Sequence, residues 1–236
     1  TSCCVINEGG DGRGDGWPDF NVNMATSHGE VTWASNEEGD TEIAYAETTE
    51  IGTWTQIFIL TSNNFNDLDP KLTFSPATGG TKIVYWRDDA SPQVYIIERL
   101  SATAGWSSPK RVSGGNEAAR YPSSIVAFGK VHVGYELTQA QGKDIIIAGR
   151  DDNPMSDSSQ FIPEVITHCN YTGKADVRLD GQGGRYWVTW IHSDTQVGFS
   201  RFNGTIWEPP QFKTYSAGDD TEAIRFQIRR EILSGN

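Results

Sequence analysis

Residues 70–99 read PKLTFSPATGGTKIVYWRDDASPQVYIIER, three short stretches rich in alternating apolar residues and separated by turn-forming residues. A period of two is typical of β-strands, and the intervening Pro, Gly, Asp and Ser are typical of tight turns. A fourth stretch, WSSPKRVS at residues 106–113, follows. The segment therefore predicts one antiparallel unit of four strands.

The same pattern recurs along the chain. Pro18, Pro70 and Pro122 lie 52 residues apart and each opens a strand, while Ala175 opens a fourth. The second strand of each unit ends in an aromatic residue: Trp33, Trp86, Tyr135 and Trp190. Four strands in about fifty residues match one blade of a β-propeller. We therefore predict an all-β chain forming a β-propeller with about four complete four-stranded blades of roughly 52 residues.

The repeat also sets the predicted domain organisation, which is a single propeller over residues 1–236. Partial strands are expected at both ends, with residues 1–8 as an outer strand and 223–233 as an inner strand of a partial blade formed by 1–16 and 223–236. The complete blades are expected at 17–67, 68–120, 121–173 and 174–222.

Composition limits the partners. The chain has 31 acidic and 19 basic residues and a formal net charge of −12, so duplex DNA and anionic membranes are repelled. No apolar run reaches the ~18 residues of a membrane span. The cysteines are Cys3, Cys4 and Cys169, and this odd count permits one intrachain disulfide. We expect that disulfide to join Cys169 to Cys3 or Cys4.

Two resemblances to known families follow from these motifs. The stretch TSNNFNDLDPKLTFSP with TKIVYW and QVYIIE resembles the repeats of periplasmic TolB-type propellers. SATAGW followed by SSPKRVS resembles the sialidase-type repeat with its Asp box, although TTEIGTW and SATAGW both lack the acid of that box. These resemblances imply an extracytoplasmic propeller, either secreted or periplasmic.

The segment DGRGDGWPD at residues 11–19 has the spacing of a calcium loop and resembles the DxNGDGxPDF loops of FG-GAP propellers. That resemblance implies Ca²⁺ bound by the carboxylates of Asp11, Asp15 and Asp19 and the carbonyl of Trp17. Arg13 stands where the loop has an acid or amide, so an ordinary glycine-rich turn is the alternative.

Acidic residues concentrate in the connections between fourth and first strands and between second and third strands, which share one face of a propeller. They are Asp11, Asp15, Asp19, Glu37, Glu38, Asp40, Asp67, Asp69, Asp88, Asp89, Asp194, Asp219, Asp220 and Glu222. Turns favour Asp for local hydrogen bonds, so this face is either a binding surface or a set of solvated turns. We expect Arg99, Arg150 and Arg201, at the ends of third strands, to pair across blade edges.

The acidic face of the predicted propeller is the feature from which we interpret its function. We expect a non-catalytic extracytoplasmic propeller that binds or scaffolds a partner protein or larger assembly through its acidic face. The alternatives are a sialidase-like glycoside hydrolase with paired carboxylates, for example Asp69 with Asp176, and a carbohydrate-binding lectin with one pocket per blade. Paired acids with a raised pKa and a substrate-sized central pocket would favour the enzyme, and repeated equivalent pockets at blade junctions would favour the lectin. A flat, acidic face without a pocket would favour a protein partner.

Overall fold

The computed structural model describes residues 16–36, 39–50, 53–152, 160–182, 184–216, 224–225, 228–230 and 232. The chain forms two compact units, Thr1–Val112 and Ser113–Asn236. The described residues are almost entirely β-strands and turns, in four antiparallel sheets. The predicted all-β propeller with four blades is confirmed.

The first unit contains two sheets, each with its strands in chain order. In the first sheet, β5 is an additional short strand that pairs with β3. The strands of the first sheet are β1 (Gly16–Asn23), β2 (His28–Ser35), β3 (Glu42–Glu50), β4 (Thr53–Trp54) and β5 (Phe58–Ile59). Those of the second are β6 (Asn66–Phe74), β7 (Thr81–Asp88), β8 (Gln93–Glu98) and β9 (Lys110–Arg111).

The second unit repeats this architecture with two four-stranded sheets. The strands of the third sheet are β10 (Ala119–Ala127), β11 (Lys130–Gln139), β12 (Gly142–Asp151) and β13 (Ile162–Cys169). Those of the fourth are β14 (Arg178–Gln182), β15 (Arg185–Ser193), β16 (Gln196–Phe202) and β17 (Gln211–Thr214).

The aromatic residues that mark the repeat occupy the second strand of each sheet, as predicted. Trp33 lies on β2, Trp86 on β7, Tyr135 on β11 and Trp190 on β15, and all four are buried. Trp190 lies opposite Gly198 in the β15–β16 register, and the absence of a side chain there makes room for its indole ring. These aromatic residues therefore belong to the core.

Within each unit, neighbouring sheets pack face to face. In the first unit, Ile43 and Tyr45 of the first sheet share a cluster with Ile83 and Tyr85 of the second. In the second unit, Ile145 and Ile147 share a cluster with Trp190 and other residues of the fourth sheet. Middle strands such as β7 are therefore covered on both faces, and they read as continuous apolar runs.

The C-terminal segment differs from the prediction of an inner strand over 223–233. Residues 224–225, 228–230 and 232 are helical. Ile224, Ile228 and Ile232, spaced by four, pack in one cluster with Trp187 and Val197. Spacing of four matches a helical face, and this packing overrides the local alternation of AIRFQI. The other predicted end strand, residues 1–8, lies outside the described residues.

The expected disulfide of Cys169 is also wrong. Cys169 ends β13 as a free, buried thiol within the apolar cluster of the second unit. Burial raises the pKa of this thiol, which keeps it protonated and unreactive. The cysteine is therefore a core residue, while Cys3 and Cys4 lie outside the described residues.

Candidate carboxylate site

One backbone position is strained in the same way in all four blades. Trp17, Asp69, Tyr121 and Asp176 have φ angles of 50°, 53°, 52° and 49°. The first three lie at β-bulges of the first strands, and each precedes a proline that cannot donate to the ladder. We call these four residues the bulge residues. Left-handed conformations are uncommon outside glycine and cluster at functional sites.

Two of the bulge residues lie in the first unit, together with a second carboxylate. Asp19 follows Trp17 by two residues, and its Oδ2 accepts a 2.6 Å hydrogen bond from the backbone nitrogen of Leu72 on β6. Asp69 lies three residues before Leu72, with its Oδ1 2.6 Å from the Nζ of Lys71. First strands of adjacent blades thus bring Asp19 and Asp69, here called the carboxylate pair, into one cluster with Lys71.

The members of the pair differ in their surroundings. Burial raises the pKa of Asp19, and the negative charge of Asp69 adds to that rise, while the hydrogen bond from Leu72 and the ammonium of Lys71 oppose it. Asp69 is 5% exposed and forms an ion pair with Lys71. The pKa of Asp19 therefore lies above that of an ordinary aspartic acid, and Asp69 beside it is ion-paired with Lys71. Two carboxyl groups with different environments are the arrangement needed for acid–base chemistry.

Trp17 is an exposed aromatic residue close to Asp19 in the chain. It is 51% exposed, whereas Trp33, Trp86, Trp187, Trp190 and Trp207 are buried. The bulge places it two residues from Asp19. An exposed aromatic ring beside polar groups offers a flat apolar face for stacking on a ring-shaped ligand.

The predicted calcium site receives no geometric support. Asp11 and Asp15 lie outside the described residues. Asp19 is engaged with Leu72 of the neighbouring blade. Within the described ranges, no cluster of three or more His, Cys, Asp or Glu side chains is arranged to hold a metal ion. Calcium binding by Asp11, Asp15, Trp17 and Asp19 stays a prediction.

Two acids of the expected acidic face, Asp67 and Asp69, are neutralised locally. Asp67 is fully buried, and its two carboxylate oxygens accept hydrogen bonds from Arg87 at 2.8 and 3.1 Å. Its Oδ2 also accepts a 2.8 Å hydrogen bond from Asn63. Asp69 is paired with Lys71. These residues hold loops together and do not present free negative charge.

A second polar cluster joins the first two sheets around Tyr45. The hydroxyl of Tyr45 lies 2.7 Å from a carboxylate oxygen of Glu30, and Arg99 contacts both Tyr45 and Glu47 at 2.9 and 2.8 Å. Arg99 therefore pairs across the blade edge, as predicted, whereas Arg201 pairs with Glu208 inside its own blade. Burial raises the pKa of Tyr45 strongly, with the nearby charge of Glu30 adding to the effect. A fully buried, protonated tyrosine holds the two sheets together and cannot act as a nucleophile.

The second unit places Asp176 in a different environment. Burial acts to raise its pKa, but Arg225 and Arg178 outweigh burial and lower it. Nη1 of Arg225 lies 2.5 Å from Oδ2 of Asp176. Asp69 and Asp176, the example pair in the sequence analysis, belong to different units and have different partners. The residue that accompanies Asp69 in its own unit is Asp19.

The contact of Asp19 with Leu72 is not predicted, because the sequence pattern favours a calcium loop at this residue. A signal was present, since Asp19 and Lys71 are separated by the 52-residue repeat. They are therefore equivalent positions with opposite charge on adjacent first strands, where neighbouring blades approach each other.

Comparisons with known proteins support the fold. A Hadza microbial sialidase aligns with a TM-score of 0.58 and 10% identity over 86% of this chain and 46% of its own. A leech intramolecular trans-sialidase, soaked with 3′-sialyllactose, aligns with a TM-score of 0.63 and 7% identity over 82% of this chain and 50% of its own. The chain thus spans about half the length of these two proteins.

An α-L-arabinofuranosidase from Podospora anserina, in complex with cellotriose, aligns with a TM-score of 0.53 and 12% identity over 86% of this chain and 69% of its own. No family model matches the sequence, and the search of curated proteins finds no match. The neighbours support the sialidase-type resemblance of the fold, whereas the TolB-type and FG-GAP resemblances rest on sequence motifs alone.

These neighbours contradict the interpretation of the chain as a non-catalytic scaffold with a protein partner. The proteins that share its fold are a sialidase, a trans-sialidase and an α-L-arabinofuranosidase. The interpretation failed because it treated the acids as a free surface, whereas Asp67 and Asp69 are paired and Asp19 is partly buried. In the part of the chain that the structure describes, no helix has the length and apolar character to cross a membrane.

Proposed function

We propose that the chain is a glycoside hydrolase in which the carboxylate pair cleaves a glycosidic bond. The observation that carries the proposal is the raised pKa of Asp19 beside the ion-paired Asp69. Glycoside hydrolysis commonly uses one carboxylic acid to protonate the leaving oxygen and one carboxylate as base or nucleophile. Asp19 takes the acid role and Asp69 the other role, and the enzymatic identity of the structural neighbours agrees with this assignment.

The buried state of Tyr45 favours a carboxylate mechanism over a tyrosine one. Sialidases use a tyrosine nucleophile, and Tyr45 has the glutamate and arginine partners that such a residue would need. Its side chain is fully buried and its pKa is raised, so it neither reaches a substrate nor ionises readily. An α-L-arabinofuranoside is therefore the first substrate class to test. A secreted or periplasmic location fits an enzyme that acts on external glycans.

The test is hydrolysis of chromogenic glycosides by the purified chain, starting with an α-L-arabinofuranoside and including an α-sialoside. Asp19→Asn and Asp69→Asn should each lower kcat/KM by about 10²–10⁴-fold, the usual contribution of a general acid or base. The matched control is Asp88→Asn, which removes an exposed carboxylate of the same unit. The proposal would be overturned if Asp19→Asn and Asp69→Asn each hydrolysed the glycoside as fast as the wild type. It would also be overturned if the wild type hydrolysed none of the glycosides tested.

A further inference from the structure

The second unit contains a copy of the candidate site. On or just before each first strand lies a bulge residue, followed by a side chain two positions later and a backbone nitrogen three positions later. In the first unit these elements are Trp17 and Asp19 on one blade, with Asp69, Lys71 and Leu72 on the next. In the second unit they are Tyr121 and Ser123 on one blade, with Asp176, Arg178 and Leu179 on the next.

The contacts of the two copies correspond. In the first, Leu72 donates its backbone N–H to Asp19 at 2.6 Å; in the second, Leu179 donates to the hydroxyl of Ser123 at 3.0 Å. The cation two positions after the bulge aspartate pairs with it in both copies, at 2.6 Å for Lys71 and 3.2 Å for Arg178. An aromatic bulge residue accompanies each, and in the second unit Lys174 lies 4.3 Å from the centre of the Tyr121 ring.

One substitution separates the copies chemically. Ser123 replaces Asp19, and a serine hydroxyl is too weak an acid to protonate a departing sugar oxygen. The remaining carboxyl group, Asp176, has its pKa lowered by Arg225, so it is an anion and not a proton donor. The second copy therefore lacks the acid that the proposed function assigns to the first.

The groups that recognise a sugar are retained. Arg178 is 50% exposed at its side chain and Asp176 is 24% exposed, so both reach solvent. A guanidinium and a carboxylate held together form a rigid set of donors and acceptors for paired hydroxyl groups, and Lys174 lies over the half-buried ring of Tyr121. Ser123 supplies one further hydroxyl.

From this correspondence we infer that Tyr121, Ser123, Asp176 and Arg178 form a saccharide-binding site that holds sugar without cleaving it. The inference rests on the proposed function of the first copy, because the ligand class is taken from it. The second site would hold a further part of a glycan, or a second glycan, while the first acts.

Binding stoichiometry tests the inference. Isothermal titration of 3′-sialyllactose and of cellotriose, the sugars of two neighbours, is made into Asp69→Asn so that turnover does not interfere. We expect two sites per chain for one of these sugars. Adding Arg178→Ala should weaken one site by about tenfold or more, as expected for loss of a charged hydrogen bond, and leave the other unchanged.

The matched control is Arg201→Ala. Arg201 is 45% exposed at its side chain and ion-paired with Glu208 at 2.8 Å, so it resembles Arg178 in exposure and pairing. This variant should retain both sites. Tyr121→Ala, which leaves the ion pairs intact, provides a second lesion that should weaken the same site as Arg178→Ala.

The possible outcomes separate the two proposals. If the wild type hydrolyses a glycoside but only one binding site is found, the second site is overturned and the proposed function stands. The same holds if two sites are found whose affinities do not change in Arg178→Ala and Tyr121→Ala. Binding that depends on Arg178 and Tyr121 without any hydrolysis supports the second site and overturns the proposed function. No binding of either sugar overturns the inference.

Discussion

The backbone nitrogen of Leu72 donates a 2.6 Å hydrogen bond to the carboxylate of Asp19 on the neighbouring blade. The pKa of Asp19 is nevertheless raised above its ordinary 3.8, because burial outweighs this hydrogen bond. A raised pKa in the folded state means that this group contributes stability below the unfolded pKa and loses it as pH rises through the folded pKa.

The wild type should therefore lose stability as the pH rises and Asp19 ionises, and Asp19→Asn should abolish this loss. An amide keeps an oxygen for Leu72 and never ionises, so as the pH rises above 3.8 the free energy of unfolding of the variant should increase relative to that of the wild type. Urea denaturation at several pH values measures this, with Asp88→Asn as control. If the difference in the free energy of unfolding between variant and wild type stayed constant with pH, burial would not be disfavouring the ionised form of Asp19.

The pH dependence of activity gives an independent prediction. If Asp19 is the acid, kcat/KM should fall on the alkaline side as Asp19 loses its proton, and this limb should lie above pH 3.8 because the pKa is raised. Lys71→Met removes a cation that lowers the pKa of Asp19, so the alkaline limb should move to higher pH. A limb that stays in place in Lys71→Met would show that another group titrates.

The buried cluster around Arg99 should matter more for stability than its exposed counterpart. Arg99 is almost fully buried and pairs with Glu47. Arg99→Met removes the cation that pairs with this carboxylate, so it should destabilise the fold by about 3–5 kcal/mol. Arg201→Met, at the equivalent repeat position but half-exposed, should cost under about 1 kcal/mol. Chemical denaturation measures the free energy of unfolding of both variants. Equal losses would show that the Arg99 cluster does not contribute more to stability than the exposed Arg201 pair.

Packing at Gly198 provides a steric prediction. A Cβ at this position would overlap the indole of Trp190, a fully buried residue on the adjacent strand. Gly198→Ala should therefore destabilise the protein by about 1–3 kcal/mol through overpacking. Gly114→Ala, where a Cβ meets nothing within 4 Å, is the control in the same unit and should change stability by less than about 0.5 kcal/mol. A tolerated Gly198→Ala would mean that the indole can move.

Calcium binding by the loop at residues 11–19 is the last prediction. The missing acid at Arg13 places the expected Kd near the weak end of the calcium range, about 10⁻⁴–10⁻³ M. Calcium in excess of that Kd should raise the melting temperature of the wild type but not of Asp15→Ala, because only a folded loop that binds the ion gains stability. Equal shifts in both proteins would show that these aspartates are ordinary turn residues.

The fold was readable from sequence because its signals are local and repeated. Alternation, the prolines at 52-residue spacing and the aromatic second strands each depend on one blade alone. The carboxylate pair was harder to predict, because Asp19 and Asp69 are 50 residues apart and meet only where blades pack. The environment of Asp19 depends on burial and on a backbone nitrogen, and neither is visible in a residue pattern. The C-terminal helix was missed because six alternating residues outweighed the four-residue spacing of the isoleucines.

The bulge residues share one backbone conformation although their side chains differ in size and charge. A tryptophan, a tyrosine and two aspartates adopt φ angles within 4° of one another, so the backbone there does not depend on which side chain it carries. Each blade thus carries a different side chain at one position of constant backbone conformation. These four residues should therefore be exchangeable among the four positions with little backbone strain, because the fold already accommodates each of these side chains in that conformation.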